Sequence, residues 1–452
     1  MMVTEIQLQD KLIHSMTTTS DPDNILPTTY REAMSSSQKN ELLTAIDEEL
    51  KSMGEEGVFE VVDLKHALSV VPHDSILSSK WVFVKKPERY KARLVARGFK
   101  QIHGINYEET RLHLKEVLRE IGFTPNNEDP STYTLIQGVE RAILWIHVND
   151  GALTASSPQL MNEIIEGLNC KLKIKWDQNI SGLVGISIEK VTEGYKFSQT
   201  DLINKLTQLT PSNITSKSPL PIDCKLESNP AAIMDKPYMQ RIGILLYIAQ
   251  ASQPDIAYAV NYLARFSMNT TASHWHTLEH LIGYMRDTST LGILIAEDNS
   301  SCAINCYVDA NWGGEGDRST HGYIILHGKN PISWQSKRQS TVASSTAQAE
   351  YMALSFAAKE CIWITNLFQP VLGNVIPAML SDNKTAVGIS NSSMNRKQTR
   401  HLIQEFNLIN EYITCGKIHL SWISTANQLA DILTKPIGYI KIKQFCKAIN
   451  WY

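Results

Sequence analysis

The sequence predicts an α/β protein of the α+β type, whose last part forms a mixed sheet. Two observations support this prediction. First, helical and strand-like patterns alternate along most of the 452 residues. Second, residues 296–452 show the order strand–strand–strand–helix–strand–helix–strand–helix, which is typical of a sheet with helices packed against it. At roughly 100–200 residues per domain, a chain of this length is expected to form several domains.

Composition indicates a globular protein and excludes several other classes. Hydrophobic residues make up 43% and charged residues 20%, and the net charge of -3 gives no overall indication of a nucleic-acid partner. The seven cysteines are scattered and include no CxxC pair, so neither a zinc site nor a disulfide framework is expected. No signal-peptide core or transmembrane-length apolar run is present. We therefore expect a cytoplasmic or nuclear protein that is not secreted and binds no membrane.

The N-terminal part combines a polar segment, a helix and a basic stretch. Residues 1–25 are polar and are predicted to be disordered. A helix is predicted over Glu41–Met53, followed by strands Val58–Val62 and Lys80–Val84. The stretch Lys80–Lys100 carries eight basic residues and a single acid. It could bind a phosphate backbone or form the solvated face of a hairpin, and charge alone does not decide between the two.

The middle of the chain contains a hairpin, a linker and two helical segments. Two apolar runs around an Asn-Asp-Gly turn predict a hairpin over Ile143–Ala155. Residues 207–235 are rich in Pro, Ser, Asn and Thr and are predicted to be a linker. Helices are predicted over Tyr238–Met268, with an interruption near Pro254, and over Trp275–Arg286.

The C-terminal part has the most regular pattern. Its predicted strands are Ala303–Val308, Gly322–His327, Ile332–Gln335, Ile376–Leu380 and Lys417–Ile423. Its predicted helices are Ser345–Phe368, Lys384–Ser390, Thr399–Tyr412 and one that begins near Thr425.

Four acids lie at the ends of these elements. Asp309 and Asp382 end predicted strands, Glu350 lies in the second turn of the long helix, and Asp431 lies one turn into the last helix. Taken alone, each is better explained as a loop acid, a helix cap, a partner of the helix dipole or a surface charge. Two-metal phosphodiester cleavage, however, needs acidic oxygens that converge from separate elements. Together the four acids predict such a metal cluster.

The sequence around these acids resembles the RNase H domain of Ty1/copia-type retrotransposon Pol proteins. The matching segments are CYVDANWGG, SWQSKRQSTVASSTAQAEYMAL, LSDNKTAVGI and WISTANQLADILTKP, and the match covers nearly all of residues 300–440. The resemblance implies that the four acids are catalytic and hold two Mg²⁺ or Mn²⁺ ions. It implies an auxiliary role for His401, and we expect Trp312 or Trp334 to pack beneath the site.

Upstream segments resemble the reverse transcriptase of the same family. RYKARLVARGFKQIHGINYEET resembles its N-terminal part, and GILLYIAQASQPDIAYAVNYLARF resembles its connection region. The resemblance favours a template-binding role for the basic stretch over a solvated hairpin. The residues expected to bind nucleic acid are Lys85, Lys86, Arg93, Arg97, Lys337, Arg338, Arg396, Lys397 and Arg400.

Two departures from the family pattern predict that DNA synthesis is lost. Glu109 and Thr110 run directly into sequence that resembles a region well downstream, so most of the palm entry and one polymerase aspartate are absent. The family's YVDD turn is His147–Asp150 here, and Asn149 replaces the first aspartate. An amide is a much weaker Mg²⁺ ligand than a carboxylate, so of the expected polymerase acids only Asp150 remains.

The predicted organisation has four parts. Residues 1–25 are a disordered lead-in, 26–206 a truncated reverse-transcriptase fingers and palm remnant, 207–295 a linker and helical thumb or connection region, and 296–452 an RNase H-like domain. The predicted function is two-metal cleavage of RNA in an RNA–DNA hybrid, with a defective polymerase. The alternative is an inert transposon relic that only binds nucleic acid. Besides the hybrid, an intact Pol protein or a capsid particle of the parent element is an expected partner.

Overall fold

The computed structural model describes most of the chain. The described residues are 2–7, 27, 29–55, 62–63, 79–85, 89–96, 111–147, 150–172, 174–177, 180–227, 236–296, 303–313, 317–390 and 403–451. They divide into two compact units, Leu12–Ile121 and Met1–Lys11 with Gly122–Tyr452. Among the described helices, none combines the length and apolarity needed to cross a bilayer.

Helices and strands alternate as the sequence predicts. The strands are β1 Met2–Gln7, β2 Ser79–Lys85, β3 Tyr90–Ala96, β4 Thr124–Pro125, β5 Thr132–Gln137, β6 Glu140–His147, β7 Asp150–Ala155, β8 Lys175–Asp177, β9 Gly182–Leu183, β10 Ile186–Val191, β11 Gly194–Ser198, β12 Ile293–Ala296, β13 Ile304–Asn311, β14 Thr320–His327, β15 Asn330–Arg338, β16 Ala378–Ser381 and β17 His419–Trp422. The helices are α1 Tyr30–Ser35, α2 Lys39–Glu55, α3 Arg111–Ile121, α4 Pro158–Asn169, α5 Thr200–Leu209, α6 Tyr238–Ala251, α7 Ala257–Ala264, α8 Ala272–Asp287, α9 Thr346–Leu372, α10 Lys384–Ser390, α11 Ile403–Thr414 and α12 Tyr439–Ala448. Short 3₁₀ helices cover Pro254–Ile256, Thr425–Asn427 and Leu429–Leu433.

The unit Leu12–Ile121 contains a two-stranded antiparallel sheet, β2–β3, packed on helix α2. Its small core includes Leu42 and Ile46 of α2 and Phe83 of β2. Helix α2 agrees with the predicted Glu41–Met53 and β2 with the predicted Lys80–Val84. Most of the predicted strand Val58–Val62 lies outside the described residues.

The other unit begins with a six-stranded sheet in the order β4-β5-β6-β7-β1-β8. The hairpin predicted over Ile143–Ala155 is confirmed as β6 and β7, which pair from Ala142 with Ala155 to His147 with Asp150. Disorder of the whole segment 1–25 is wrong for residues 2–7, because β1 pairs with β7 on one side and β8 on the other. Its Val, Thr and Ile favour extended backbone, a local signal that average polarity conceals.

The C-terminal sheet has five strands in the order β15-β14-β13-β16-β17. The strands β13, β14 and β15 form an antiparallel meander, whereas β16 and β17 pair in parallel with β13 and with each other. This is the mixed sheet that the sequence predicts. The break predicted near Pro254 is also confirmed, because α6 ends at Ala251 and α7 begins at Ala257.

Two cores cover the two faces of this sheet. On one face, Tyr323 and Ile325 of β14 pack with α9 residues such as Leu354. On the other face, Ile324 and Leu326 join a core that includes Leu245 of α6. Successive side chains of a strand point to opposite faces, so β14 is buried on both sides. Since the second core contains residues on both sides of 295, packing continues across the predicted boundary there; the boundaries at 206 and 295 stay predictions.

The final helix begins later than the sequence predicts. A helix starting near Thr425 is wrong, because two 3₁₀ turns occupy this segment and α12 begins at Tyr439. The backbone of Gln428 is extended, which separates the two turns. Pro436 lacks an N–H and disfavours helical backbone at the preceding residue, so the second turn cannot continue as an α-helix.

Candidate metal centre at the end of the five-stranded sheet

Three of the four expected acids converge at one end of the C-terminal sheet. Asp309, Glu350 and Asp382 each offer a carboxylate oxygen, and these oxygens all lie within 4.8 Å of one another. Within the described part of the chain, this is the one group of three or more His, Cys, Asp or Glu side chains that could hold a metal ion. We refer to these three residues as the acidic triad.

The parallel pairing of β13 with β16 brings the triad together. Asp309 lies on the central strand β13, two residues before its end, and Asp382 directly follows β16. Parallel neighbours end at the same edge of a sheet, so their carboxylates become neighbours. Glu350 comes from the second turn of α9, whose first turn is capped by the Ser345 hydroxyl accepting from the N–H of Gln348.

Burial and mutual repulsion perturb the triad. Asp309 is 3% exposed and Glu350 is 6% exposed. Burial, followed by the nearby carboxylates of Asp309 and Asp382, raises the pKa of Glu350 to about 9. Burial also raises the pKa of Asp309, although Lys435 and Thr434 oppose the shift. Without a cation, Glu350 therefore holds a proton at neutral pH.

One oxygen of Glu350 has no protein partner. The Glu350 side chain accepts a hydrogen bond from the N–H of Ala310, yet Oε2 is fully buried and unpaired. Buried carboxylate oxygens without a partner are costly and need an explanation. Carboxylate oxygens are the ligands that Mg²⁺ and Mn²⁺ prefer, so the donor set fits a divalent ion.

Two threonine hydroxyls orient the other two triad carboxylates, and an indole binds the backbone of Asp382. Thr434 donates its hydroxyl proton to Asp309 Oδ2, and Thr425 donates to Asp382 Oδ2 at 2.8 Å. Trp422 donates its Nε1–H to the backbone carbonyl of Asp382 at 3.0 Å. These contacts fix the two side chains from β17 and the 3₁₀ segment, and the sequence patterns did not indicate them.

Asp431 occupies a different environment from the triad. It lies in the 3₁₀ helix Leu429–Leu433 and is 2% exposed. Lys435 Nζ lies 2.7 Å from Asp431 Oδ1, and Lys441 Nζ lies 2.9 Å from Oδ2. Lys435 Nζ also lies 3.7 Å from Asp309 Oδ2. The expected fourth metal ligand is thus bound by two ammonium groups.

Lys435 is the functional candidate that sequence reasoning missed. Its side chain is 37% exposed. Burial lowers its pKa, but the carboxylates of Asp309 and Asp431 outweigh burial and raise it overall. The spacing of four residues between Asp431 and Lys435 is the signal that could have found this pair.

Two expected basic contacts lie at the same end of the sheet as the triad. Lys337 and Arg338 are exposed at the end of the edge strand β15, and Arg338 forms an ion pair with Asp317. Arg338 pairs in register with Thr320, which also accepts from Arg265 Nη2 at 2.9 Å. Arg265 follows α7 and lies outside the predicted RNase H-like stretch, so the sequence did not indicate it as a residue near the site.

Two of the expected basic residues, Lys85 and Arg93, lie in the described part of the hairpin β2–β3. Lys85 shares the face of the buried Phe83, whereas Arg93 pairs with Val82 and lies on the opposite face. Lys85 and Arg93 therefore lie on opposite faces of this hairpin, and their role in template binding stays a prediction.

Other expected residues have different outcomes. Asp150 begins β7 opposite His147 and belongs to no metal-ligating group among the described residues. Trp334 packs against the core that includes Leu245 and donates to the Ala249 carbonyl at 2.7 Å, and the packing of Trp312 or Trp334 beneath the site stays a prediction. Trp312 donates to the Ala343 carbonyl. The expected sites outside the described residues are Lys86, Arg97, Asn149, Arg396, Lys397, Arg400 and His401.

The chain is similar in sequence to curated retrotransposon proteins. No protein-family model matches it. It is 26% identical over 539 aligned positions to the retrovirus-related Pol polyprotein from transposon RE1 of Arabidopsis thaliana, covering 97% of this chain and 36% of the relative. It is 25% identical over 525 positions to the retrovirus-related Pol polyprotein from transposon TNT 1-94 of Nicotiana tabacum, covering 94% of this chain and 39% of the relative. It is also 25% identical over 261 positions to a putative transposon Ty5-1 protein of Saccharomyces cerevisiae, covering 55% of this chain and 83% of the relative. These relatives show that the chain is related to copia-type retrotransposon Pol polyproteins over most of its length.

This Pol chain spans about a third of the length of the curated polyproteins that it matches. The alignment with the RE1 polyprotein is longer than the chain itself, so part of that relative has no counterpart here. Among solved structures, the chain is similar to RNase H1 from Halobacterium salinarum (16% identity, 29% of this chain, 94% of that one, TM-score 0.24). It is also similar to the foamy viral protease-reverse transcriptase in complex with double-stranded DNA (11%, 84%, 69%, TM-score 0.46).

Proposed function

We propose that this Pol chain is a divalent-metal-dependent ribonuclease that cleaves the RNA strand of an RNA–DNA hybrid at the acidic triad. The observation that carries the proposal is the convergence of Asp309, Glu350 and Asp382 with one buried, unpaired Glu350 oxygen. Mg²⁺ or Mn²⁺ would be held by these three side chains. When bound, such an ion supplies Lewis-acid activation of water and neutralises phosphate charge.

The surrounding residues would position the triad and the substrate. Thr425 and Thr434 hold the carboxylates of Asp382 and Asp309 in one orientation. Lys337 and Arg338, exposed at the same end of the sheet, would contact phosphates of the hybrid. Binding should therefore weaken as salt concentration rises.

The decisive test is cleavage of a labelled RNA–DNA hybrid by the full chain in Mg²⁺. The full chain is required because the second core joins residues on both sides of 295. We expect cleavage that is lost in EDTA and reduced at least about a hundredfold in Asp309→Asn. Asp223→Asn changes an exposed acid in a turn and should cleave like the unmodified chain.

Failure of the cleavage test would favour the inert alternative. Salt-sensitive binding of the hybrid without cleavage, or cleavage unchanged in Asp309→Asn, would contradict the proposed nuclease. The first result would describe a transposon relic that only binds nucleic acid.

We also propose that the polymerase is inactive. In the described residues Asp150 has no acidic cluster around it, and Asn149 replaces an aspartate of the family turn. No primer extension on an RNA template is expected, either from the unmodified chain or from Asn149→Asp. Extension by either would contradict this part of the proposal.

A further inference from the structure

The second cation position of the site coincides with a lysine of the chain itself. A divalent ion shared by Asp309 and Asp431 would have to lie about 2.1 Å from an oxygen of each. Lys435 Nζ already lies between these two carboxylates, 2.7 Å from Asp431 Oδ1 and 3.7 Å from Asp309 Oδ2. An ammonium group and a divalent ion cannot share that space.

Charge balance leads to the same conclusion. When ionised, the triad and Asp431 carry four negative charges, and Lys435 and Lys441 supply two positive charges next to Asp431. One divalent ion at the triad then neutralises the site. A second would leave an excess of two positive charges beside the carboxylates of Asp309 and Asp431, which are nearly inaccessible to water, and such an excess is unfavourable.

We infer that Lys435 occupies the second cation position and that this chain binds one divalent ion, at the acidic triad. This inference rests on the proposed metal site. Lys435 is a positioning residue that holds Asp309 and Asp431 and supplies the positive charge that a second ion would otherwise bring. On this inference the site holds one ion and one ammonium group, whereas the family resemblance implies two ions.

The test is the number of Mn²⁺ ions bound per full chain, counted by electron paramagnetic resonance of free Mn²⁺ and by calorimetry. The unmodified chain should bind one ion, and Asp309→Asn should lower the affinity for that ion at least about tenfold. Lys435→Met removes the charge but keeps the side-chain length, and it should bind a second ion. Lys435→Arg retains a cation and should bind one.

Lys441→Met provides a matched control. Lys441 contacts the same aspartate, but it reaches only Oδ2 and does not approach Asp309 within ion-pair distance. Its removal should leave one bound ion. Lys435→Arg also keeps the test decisive if Lys435→Met folds poorly, because a second ion in Lys435→Arg would contradict the inference.

The outcomes separate this inference from the proposed function. Two ions on the unmodified chain, or one ion of unchanged affinity on Lys435→Met, would overturn the role of Lys435. One bound ion without hybrid cleavage would overturn the nuclease and leave the role of Lys435 intact. No bound ion on any of the variants would overturn both.

Discussion

Replacing Glu350 with glutamine should stabilise the metal-free protein, although it removes a proposed metal ligand. Glutamine has nearly the same shape and does not ionise. Its carbonyl can accept the N–H of Ala310, and its amide can donate toward Asp309 or Asp382. The substitution therefore removes a buried charge while retaining the contacts.

The size of the effect follows from the pKa of Glu350. Its folded-state pKa is about 9, against an ordinary value of 4.5. Between these two values the folded protein holds a proton that the unfolded chain has lost, so stability falls as pH rises through this window. At about 1.4 kcal/mol per pH unit, the loss relative to pH 4.5 reaches roughly 3 kcal/mol by pH 7. Glu350→Gln should avoid this loss.

The assay is urea denaturation in EDTA at several pH values. Glu350→Gln should match the unmodified chain near pH 4.5 and exceed its stability by roughly 3 kcal/mol at pH 7. With saturating Mg²⁺ the difference in unfolding free energy between the two chains should shrink or change sign, because a bound ion stabilises only the chain that binds it. Glu360→Gln, on the same helix but hydrogen-bonded to Ser333, is the control and should follow the pH profile of the unmodified chain. A Glu350→Gln profile parallel to that of the unmodified chain in EDTA would refute the reasoning.

Three further predictions concern the supports of the site. Thr425→Val removes the hydroxyl that binds Asp382 and should weaken Mn²⁺ binding by roughly 10–100-fold in calorimetry, whereas unchanged affinity would show that this contact is not needed. Gly322→Ala would place a Cβ 2.5 Å from Cβ of Leu433 and should cost about 1–3 kcal/mol in urea denaturation, while Gly388→Ala, which meets no atom within 4 Å, should cost nothing measurable. Residues 296–452 alone would lose part of the second core and should lack the near-ultraviolet circular dichroism of a packed domain; a native-like spectrum would show that the stretch folds independently.

The sequence by itself determined the element order of the C-terminal part. Short apolar runs indicated β13 and β14, and the helical pattern over Ser345–Phe368 indicated α9, because these signals are local in the chain. It also indicated the three acids that converge in the structure, because family motifs preserve residue identity and order. In this part of the chain the predicted start of the last helix was wrong, because Pro436 and an extended Gln428 act within a few residues.

The tertiary structure alone decided which charges meet. Convergence of Asp309 and Asp382 depends on the parallel pairing of β13 and β16, two strands about seventy residues apart, which no local pattern specifies. The separation of Asp431 from the triad depends on the 3₁₀ turn that brings Lys435 between Asp431 and Asp309. Burial strengthens these effects, because charges interact more strongly where carboxylates such as those of Asp309 and Glu350 are shielded from water.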